Sequence, residues 1–183
     1  MISISTLTDP KKLMGTLFLR YFGLTQVRML WFISPELIFW SDEQVKIRVP
    51  LNRKTRNHLH CMYFGALAAG ADLAAGFHAF AEIRRTKKPI SFIFKNMQCN
   101  FIKRAEGDVV FQVDDGILIR DLVTKAIETG ERVDLPVHVK ALCPEKLGDE
   151  VCAEFTLTLS LKLKDKNKKN ATETIKQDTA KES

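Results

Sequence analysis

Between Cys61 and Ile83 the chain carries eight Ala and three Gly in 23 residues, and its only charge before Glu82 is Asp72. Alanine favours helix, whereas Gly65, Gly70 and Gly76 each cost about 1 kcal/mol relative to alanine in a helix interior. Close packing must offset that cost, because small residues at this density let other backbone approach. A surface helix shows a broad charged face, and this segment has none. The pattern therefore predicts a helix buried nearly all round. Arg84, Arg85, Lys87 and Lys88 suit its C-terminal dipole, and Pro89 stops it.

The flanking segments read mostly as strands. Pro35–Trp40 is a short one, and Ser41, Asp42 and Glu43 turn the chain into Val45, Ile47, Val49 and Leu51, which alternate with polar residues at period 2. Residues 52–60 form a polar loop. After the helix, Ser91–Arg104 reads as one long strand, with Phe92, Phe94, Asn96, Gln98, Asn100 and Ile102 on one face and Ile93, Lys95, Met97, Cys99 and Phe101 on the other. Val109–Val113, Val133–Leu142 and Val151–Leu163 complete the set, with a helix at Ile117–Glu128 that Asp114-Asp115-Gly116 could cap. In the last strand Phe155, Leu157, Leu159, Leu161 and Leu163 are expected to point inward.

Ahead of the strands, Asp9-Pro10 is a helix start. Leu13, Leu17, Arg20, Leu24 and Arg28 follow on one face and Met14, Phe18 and Phe22 on an adjacent one, giving one or two amphipathic packing helices up to about Trp31. A lid or a membrane-surface contact is the lesser reading. The fold class is α+β: an antiparallel sheet wrapped around a central buried helix, with an extra N-terminal helix or helices and one helical insertion. The division expected is an N-terminal helical segment at 1–34, the sheet-and-helix domain at 35–163, and a disordered charged tail at 164–183.

Bulk properties exclude several classes. A chain of 183 residues, 45% hydrophobic and 27% charged, suits one globular domain. Cys61, Cys99, Cys143 and Cys152 form no C-x-x-C pair, and the N-terminus lacks the basic and apolar regions of a signal peptide, so reduced thiols in the cytoplasm are expected. The most apolar stretch, Met29–Trp40, is broken by Pro35 and Glu36, so no membrane-spanning run is expected. The net charge is +6, but Lys162–Ser183 holds seven Lys and four acids, so half of the excess lies in the tail. The balance of the chain does not read as a nucleic-acid surface.

The chemistry is expected at Asp72. A lone carboxylate inside an apolar helix costs several kcal/mol unless it is bonded or paired. Gly65 lies seven residues earlier, almost two full turns, and so falls on the same helical face. Free amides at a helix N-terminus can polarise a carbonyl oxygen, and a carboxylate farther along can activate water or attack directly. His58 and His60 are two apart in a loop beside Cys61, without a second ligand cluster, so no metal is expected. His78 reads as a satisfied core histidine. Cys61 has no base partner other than those two histidines.

The run from Asn57 to Gly76, with the turn Lys103-Arg104-Ala105-Glu106-Gly107 that follows the long strand, resembles the hotdog-fold acyl-CoA thioesterases. The similarity is to the phenylacetyl-CoA type and a related uncharacterised proteobacterial branch. In that family an Asn-containing loop leads into His-Gly-Gly at the start of the central helix, and an Asp or Glu follows nine residues after the His. Counted back from Asp72, this pattern falls on Tyr63-Phe64-Gly65, with Tyr63 at the His position and Phe64 at the first Gly position.

The resemblance implies a homodimer or a dimer of dimers with the active site between subunits, and an acyl-CoA or other acyl thioester as substrate. Gly65 would be the oxyanion donor and Asp72 the general base or nucleophile, with Asn57 positioning the thioester or water. Tyr63 and Phe64 would line the substrate site. Lys103 and Arg104 would meet coenzyme A phosphates, as would Arg84, Arg85 and Lys88. No cofactor is implied. The departures at Tyr63 and Phe64 motivate a second reading, a non-catalytic acyl-CoA or fatty-acyl binding protein. A dehydratase is disfavoured, because no Pro-Gly follows a His in the helix-leading loop.

Overall fold

The structure, a computed structural model, describes residues 9–164. The rest of the predicted charged tail, like residues 1–8, lies outside the described residues. Helix α1 (Pro10–Thr25) starts where Asp9-Pro10 predicts: the Asp9 carboxylate accepts from the Lys11 amide at 2.9 Å, and Pro10 sits at the first helical position. A short α2 (Arg28–Phe32) follows, then strands β1 (Glu36–Trp40) and β2 (Val45–Val49). The central helix α3 (Phe64–Thr86) leads to β3 (Ile90–Phe101) and β4 (Val109–Val113). Helix α4 (Gly116–Thr129), β5 (Val133–Leu142), a single turn α5 (Pro144–Leu147) and β6 (Val151–Leu163) complete the order.

The six strands form one sheet in the order β1-β2-β4-β5-β6-β3, with every neighbouring pair antiparallel. Helix α3 packs on β2, β4 and β5, and α4 packs beside it on β5 and β6. Val45, Ile47, Val49, Phe111, Val137, Val139, Phe155, Leu157 and Leu159 are fully or almost fully buried, as period-2 alternation requires. Gly70 shows why the helix must be small-sided. A Cβ there would lie 2.2 Å from the ring of the buried Phe111, so helix and sheet approach through the missing side chain.

Three expectations need correction. Helix α3 is not buried all round: Gly65, Ala68, Ala69, Asp72, Gly76, Phe80 and Ile83 form a half-buried stripe. Helix α3 has the length and apolar composition of a membrane span, but its most apolar stretch is mostly buried within the fold, as in the core helix of a globular domain. In α1 the core face is Thr16, Leu19 and Gly23, while Leu17 and Leu24 point outward. A hydrophobic pattern misses that face because the Thr16 hydroxyl accepts the Leu37 amide at 2.9 Å, and Gly23 lets the backbone of Trp31 come close. The faces of β3 exchange at a bulge. Phe94 pairs with Leu159 but Met97 with Leu157, so one extra residue turns Met97, Cys99 and Phe101 to the side that Phe92 and Phe94 occupy before it.

An ion network holds α3 against its neighbours. Arg85 binds Asp42 at 3.0 Å and Glu82 at 2.8 Å, and Arg120 of α4 reaches Asp42 at 3.0 Å, joining the β1–β2 turn to both helices. Asp115 does not cap α4 with its side chain; its carboxylate accepts the His138 amide at 2.7 Å instead.

Two glycine substitutions separate packing from open space. A methyl at Gly70 must displace the Phe111 ring, so Gly70→Ala is expected to cost about 1–3 kcal/mol. A Cβ at Gly76 meets nothing closer than 3.7 Å, so Gly76→Ala is expected to gain about 0.5–1 kcal/mol from helix propensity. Thermal unfolding followed by circular dichroism should rank Gly76→Ala above wild type and wild type above Gly70→Ala. Equal melting of the two variants would refute this account.

Candidate active site

The loop leading into α3 is built by backbone and short side chains. The Thr55 hydroxyl donates to the Pro50 carbonyl at 2.7 Å and accepts the Asn52 amide at 2.9 Å, while the Tyr63 amide donates to the Thr55 carbonyl at 2.8 Å. The Met62 amide donates to the Ala105 carbonyl at 2.8 Å, which fastens this loop to the turn after β3. The side-chain oxygen of Asn57 accepts the Leu59 amide at 2.9 Å, and its nitrogen lies 3.3 Å from Cys61 Sγ. Asn57 thus shapes the loop while keeping its place at the site.

Five of the sequence-predicted residues meet in one open groove of about 510 Å³: Asn57, Tyr63, Phe64, Lys103 and Arg104. The rings of Tyr63 and Phe64 stand 4.6 Å apart, both exposed at the start of α3. Tyr63 is the N-cap residue and offers no side-chain bond to the helix amides. The first helical amides, of Phe64 and Gly65, have no acceptor among the described residues. The Tyr63 ring also rests on Gly65, where a Cβ would come within 2.5 Å of it, so close packing alone explains this glycine too.

Among the cations, Lys103 is paired with Glu150, and Arg85 is committed to the Asp42–Glu82 network. Arg84 lies over the rings of Phe18 and Phe80, 5.9 and 5.5 Å from their centroids. Arg104 is exposed at the groove and makes no ion pair among the described residues.

Asp72 lies elsewhere, on the half-buried stripe of α3, lining an apolar cavity of about 220 Å³ between α3, the two N-terminal helices and β3. It makes no hydrogen bond or ion pair with any described residue. Burial alone pushes its carboxyl above the usual carboxylate range. It is separated from Gly65 by about 10 Å along the helix axis at 1.5 Å per residue.

His78 is fully buried, as a core histidine should be, and the polar group that faces its ring is the Gln44 backbone. Desolvation first of all holds it down to about 4, and it is neutral at pH 7. No cluster of three or more His, Cys, Asp or Glu capable of holding a metal occurs among the described residues.

The unpartnered carboxylate has a consequence for stability. A carboxyl whose folded-state pKa is raised is better tolerated protonated, so its cost to the fold appears as pH rises from the unfolded value through the folded one. Asp72→Asn should therefore be more stable than wild type at pH 7, by about 1 kcal/mol, with the gap closing at acidic pH. Urea unfolding of both proteins across that range checks it. A variant less stable than wild type at pH 7 would mean that Asp72 has a structural partner.

Comparison with known proteins places this geometry. The fold matches a candidate thioesterase from Shewanella oneidensis with a TM-score of 0.68 at 13% identity, over 81% of this chain and 97% of that one. It matches a Pseudomonas aeruginosa protein of unknown function, described as a probable thioesterase, with a TM-score of 0.65 at 24% identity over 81% and 96% of the two chains. A thioesterase from Haemophilus influenzae matches with a TM-score of 0.57 at 13% identity, over 76% and 86%. A search of curated protein sequences finds no match. The six-stranded antiparallel sheet around a central helix is thus the hotdog fold that the sequence resemblance implied. Residues 26–161 match one sequence family, and the chain belongs to it: the Domain of unknown function (DUF4442) family.

Proposed function

We propose that the protein is a thioesterase that hydrolyses acyl-CoA or a related acyl thioester, acting as a homodimer. The observation that carries this reading is Asp72, an unpartnered carboxylate on the open stripe of the central helix of a hotdog fold. In the reaction, the Asp72 carboxylate takes a proton from water as the water oxygen bonds to the thioester carbonyl carbon. The amide of Gly65 donates to the developing oxyanion. The C–S bond then breaks, and the departing sulfur takes the proton from the Asp72 carboxyl, leaving acid and thiol. A carboxyl raised by burial holds a proton more readily than an ordinary one, which suits both transfers. Direct attack by the carboxylate is the variant of this scheme.

One chain does not bring these groups together. About 10 Å along one helix is too far for base and oxyanion donor to serve one carbonyl, which supports a site shared between two copies. The edge of the sheet supports the same conclusion. Strand β3 pairs with β6 on one side only, and over its 12 residues it exposes Ile93, Met97 and Phe101. A long apolar edge of this kind calls for a covering partner. Asn57 would hold the groove open for the thioester between Tyr63 and Phe64, and Arg104 would meet the coenzyme A phosphates. Four free cysteines are consistent with action in the cytoplasm.

One observation favours the second reading, a non-catalytic acyl-CoA or fatty-acyl binding protein. The Tyr63 ring lies on Gly65 and Phe64 stands beside it, crowding the amide that the oxyanion needs.

Thiol release from acyl-CoAs of graded chain length tests the proposal. Wild type should turn over, elute at twice the chain mass in light scattering, and lose about a hundred- to ten-thousandfold in kcat on Asp72→Asn. Arg104→Ala should raise KM severalfold at unchanged kcat. A folded dimer that binds acyl-CoA without releasing thiol would favour the binding protein.

A further inference from the structure

The cavity at Asp72 has a construction that neither the fold nor the proposed chemistry requires. Asp72, Gly76 and Phe80 are spaced four apart on α3 and so form one row along its open stripe. From Asp72 to Phe80 this row runs about 12 Å at 1.5 Å per residue. The opposite wall comes from Phe18 and Phe22 of α1 and Leu30 of α2, and the side from Phe94 of β3. The aromatic wall is continuous: Phe80 lies 5.4 Å from Phe18 and 5.5 Å from Phe22. Asp72, at one end of the row, contributes the only charged or hydrogen-bonding side chain in the lining among the described residues.

Gly76 is the informative residue. Gly70 is a glycine because Phe111 occupies the place of its Cβ, but a Cβ at Gly76 would touch only the rings of Phe94 and Phe92, at 3.7 and 3.8 Å. Packing does not require glycine there, and helix propensity argues against it. What the missing side chain leaves is room in the cavity lining that a methyl group would occupy in ordinary contact with Phe94 and Phe92. That cavity of about 220 Å³ is larger than the roughly 150 Å³ engineered apolar cavity that admits benzene. On that ratio it holds about eight or nine carbons.

We infer that this cavity is the acyl-chain site, and that the N-terminal helices, by roofing it, select hydrocarbon acyl groups of up to about eight or nine carbons. The inference rests on the thioesterase reading for the direction of the chain: the carbonyl end lies at Asp72 and the tail passes Gly76 toward Phe80. Straight-chain and phenyl-ended groups fit a wall of aromatic rings. Chains bearing a hydroxyl or a second carboxylate do not, because nothing past Asp72 could bond to them.

The test uses straight-chain alkan-1-ols, which are neutral and therefore not repelled by the Asp72 carboxylate, and reads binding by calorimetry on the full chain. Affinity should rise about three- to fourfold per methylene from butanol and level off at about nine or ten carbons. 1,8-Octanediol should bind at least about tenfold more weakly than 1-octanol. Gly76→Leu should weaken 1-octanol binding at least about tenfold. Gly76→Ala, whose Cβ fits without displacement, should move the levelling-off one or two carbons shorter and covers the case in which the leucine variant fails to fold. Met14→Gln, on the exposed side of α1, should change nothing. A flat chain-length series, or equal octanol binding by wild type and Gly76→Ala at every length, would overturn the inference even in an active thioesterase. Length-dependent binding that Gly76 substitutions shorten would uphold the site even in a protein that releases no thiol.

Discussion

The approach of α3 to the sheet governs the rest of the molecule. At Gly70 the helix comes so near β4 that the ring of Phe111 lies where a side chain would start. Ala71, Ala74, Ala75 and Ala79 continue that contact in complete burial. A larger residue at any of them would push the helix away from the sheet and open the core of valines and leucines beneath it. The composition that lowers helix propensity is thus the composition that lets one helix occupy the concave side of a six-stranded sheet.

The same small residues have a different effect on the other side of α3. There Gly65, Ala68, Ala69, Asp72 and Gly76 are only half-buried; the Tyr63 ring rests on Gly65, and Asp72 and Gly76 line the apolar cavity. Asp72 carries the cost of partial burial with no bonding partner among the described residues. The N-terminal helices roof that cavity. They are held by buried Leu19, Leu30 and Ile33, by the packing of Phe18 and Phe22 on Phe80, and by two polar contacts, Thr16 accepting the Leu37 amide and Arg20 Nε donating to the Pro35 carbonyl at 3.3 Å.

Much of the fold was legible because its signals are periodic. The clean alternation in β2 and β6 and the alanine-rich run of α3 are dictated by residue types that repeat at the spacing of the element. Illegible were the places where a single contact overrides the pattern. The β3 bulge moves Met97 and Phe101 to the face of Phe94 by one extra residue that no composition marks. In α1, Thr16 and Gly23 join Leu19 on the core face, while Leu17 and Leu24 point outward. In the groove, Asn57, Tyr63, Phe64, Lys103 and Arg104 could be grouped by resemblance, but sequence does not show that Lys103 is already paired with Glu150 while Arg104 makes no ion pair among the described residues.

The sequence by itself determined that a helix of small residues packs closely against an antiparallel sheet and that one carboxylate, Asp72, lies on it unmatched by any nearby charge in the sequence. Those are local properties, fixed by side-chain volume and period. Only the tertiary structure decided that Gly70 and Gly76 differ in kind, one with a neighbour's ring where a Cβ would lie and the other with room for a Cβ in ordinary contact. Only the tertiary structure decided, too, that Asp72 looks into an apolar cavity rather than into the groove at the helix start. Both depend on which distant elements meet the helix at each turn, and residues far apart in the chain meet only after it has folded.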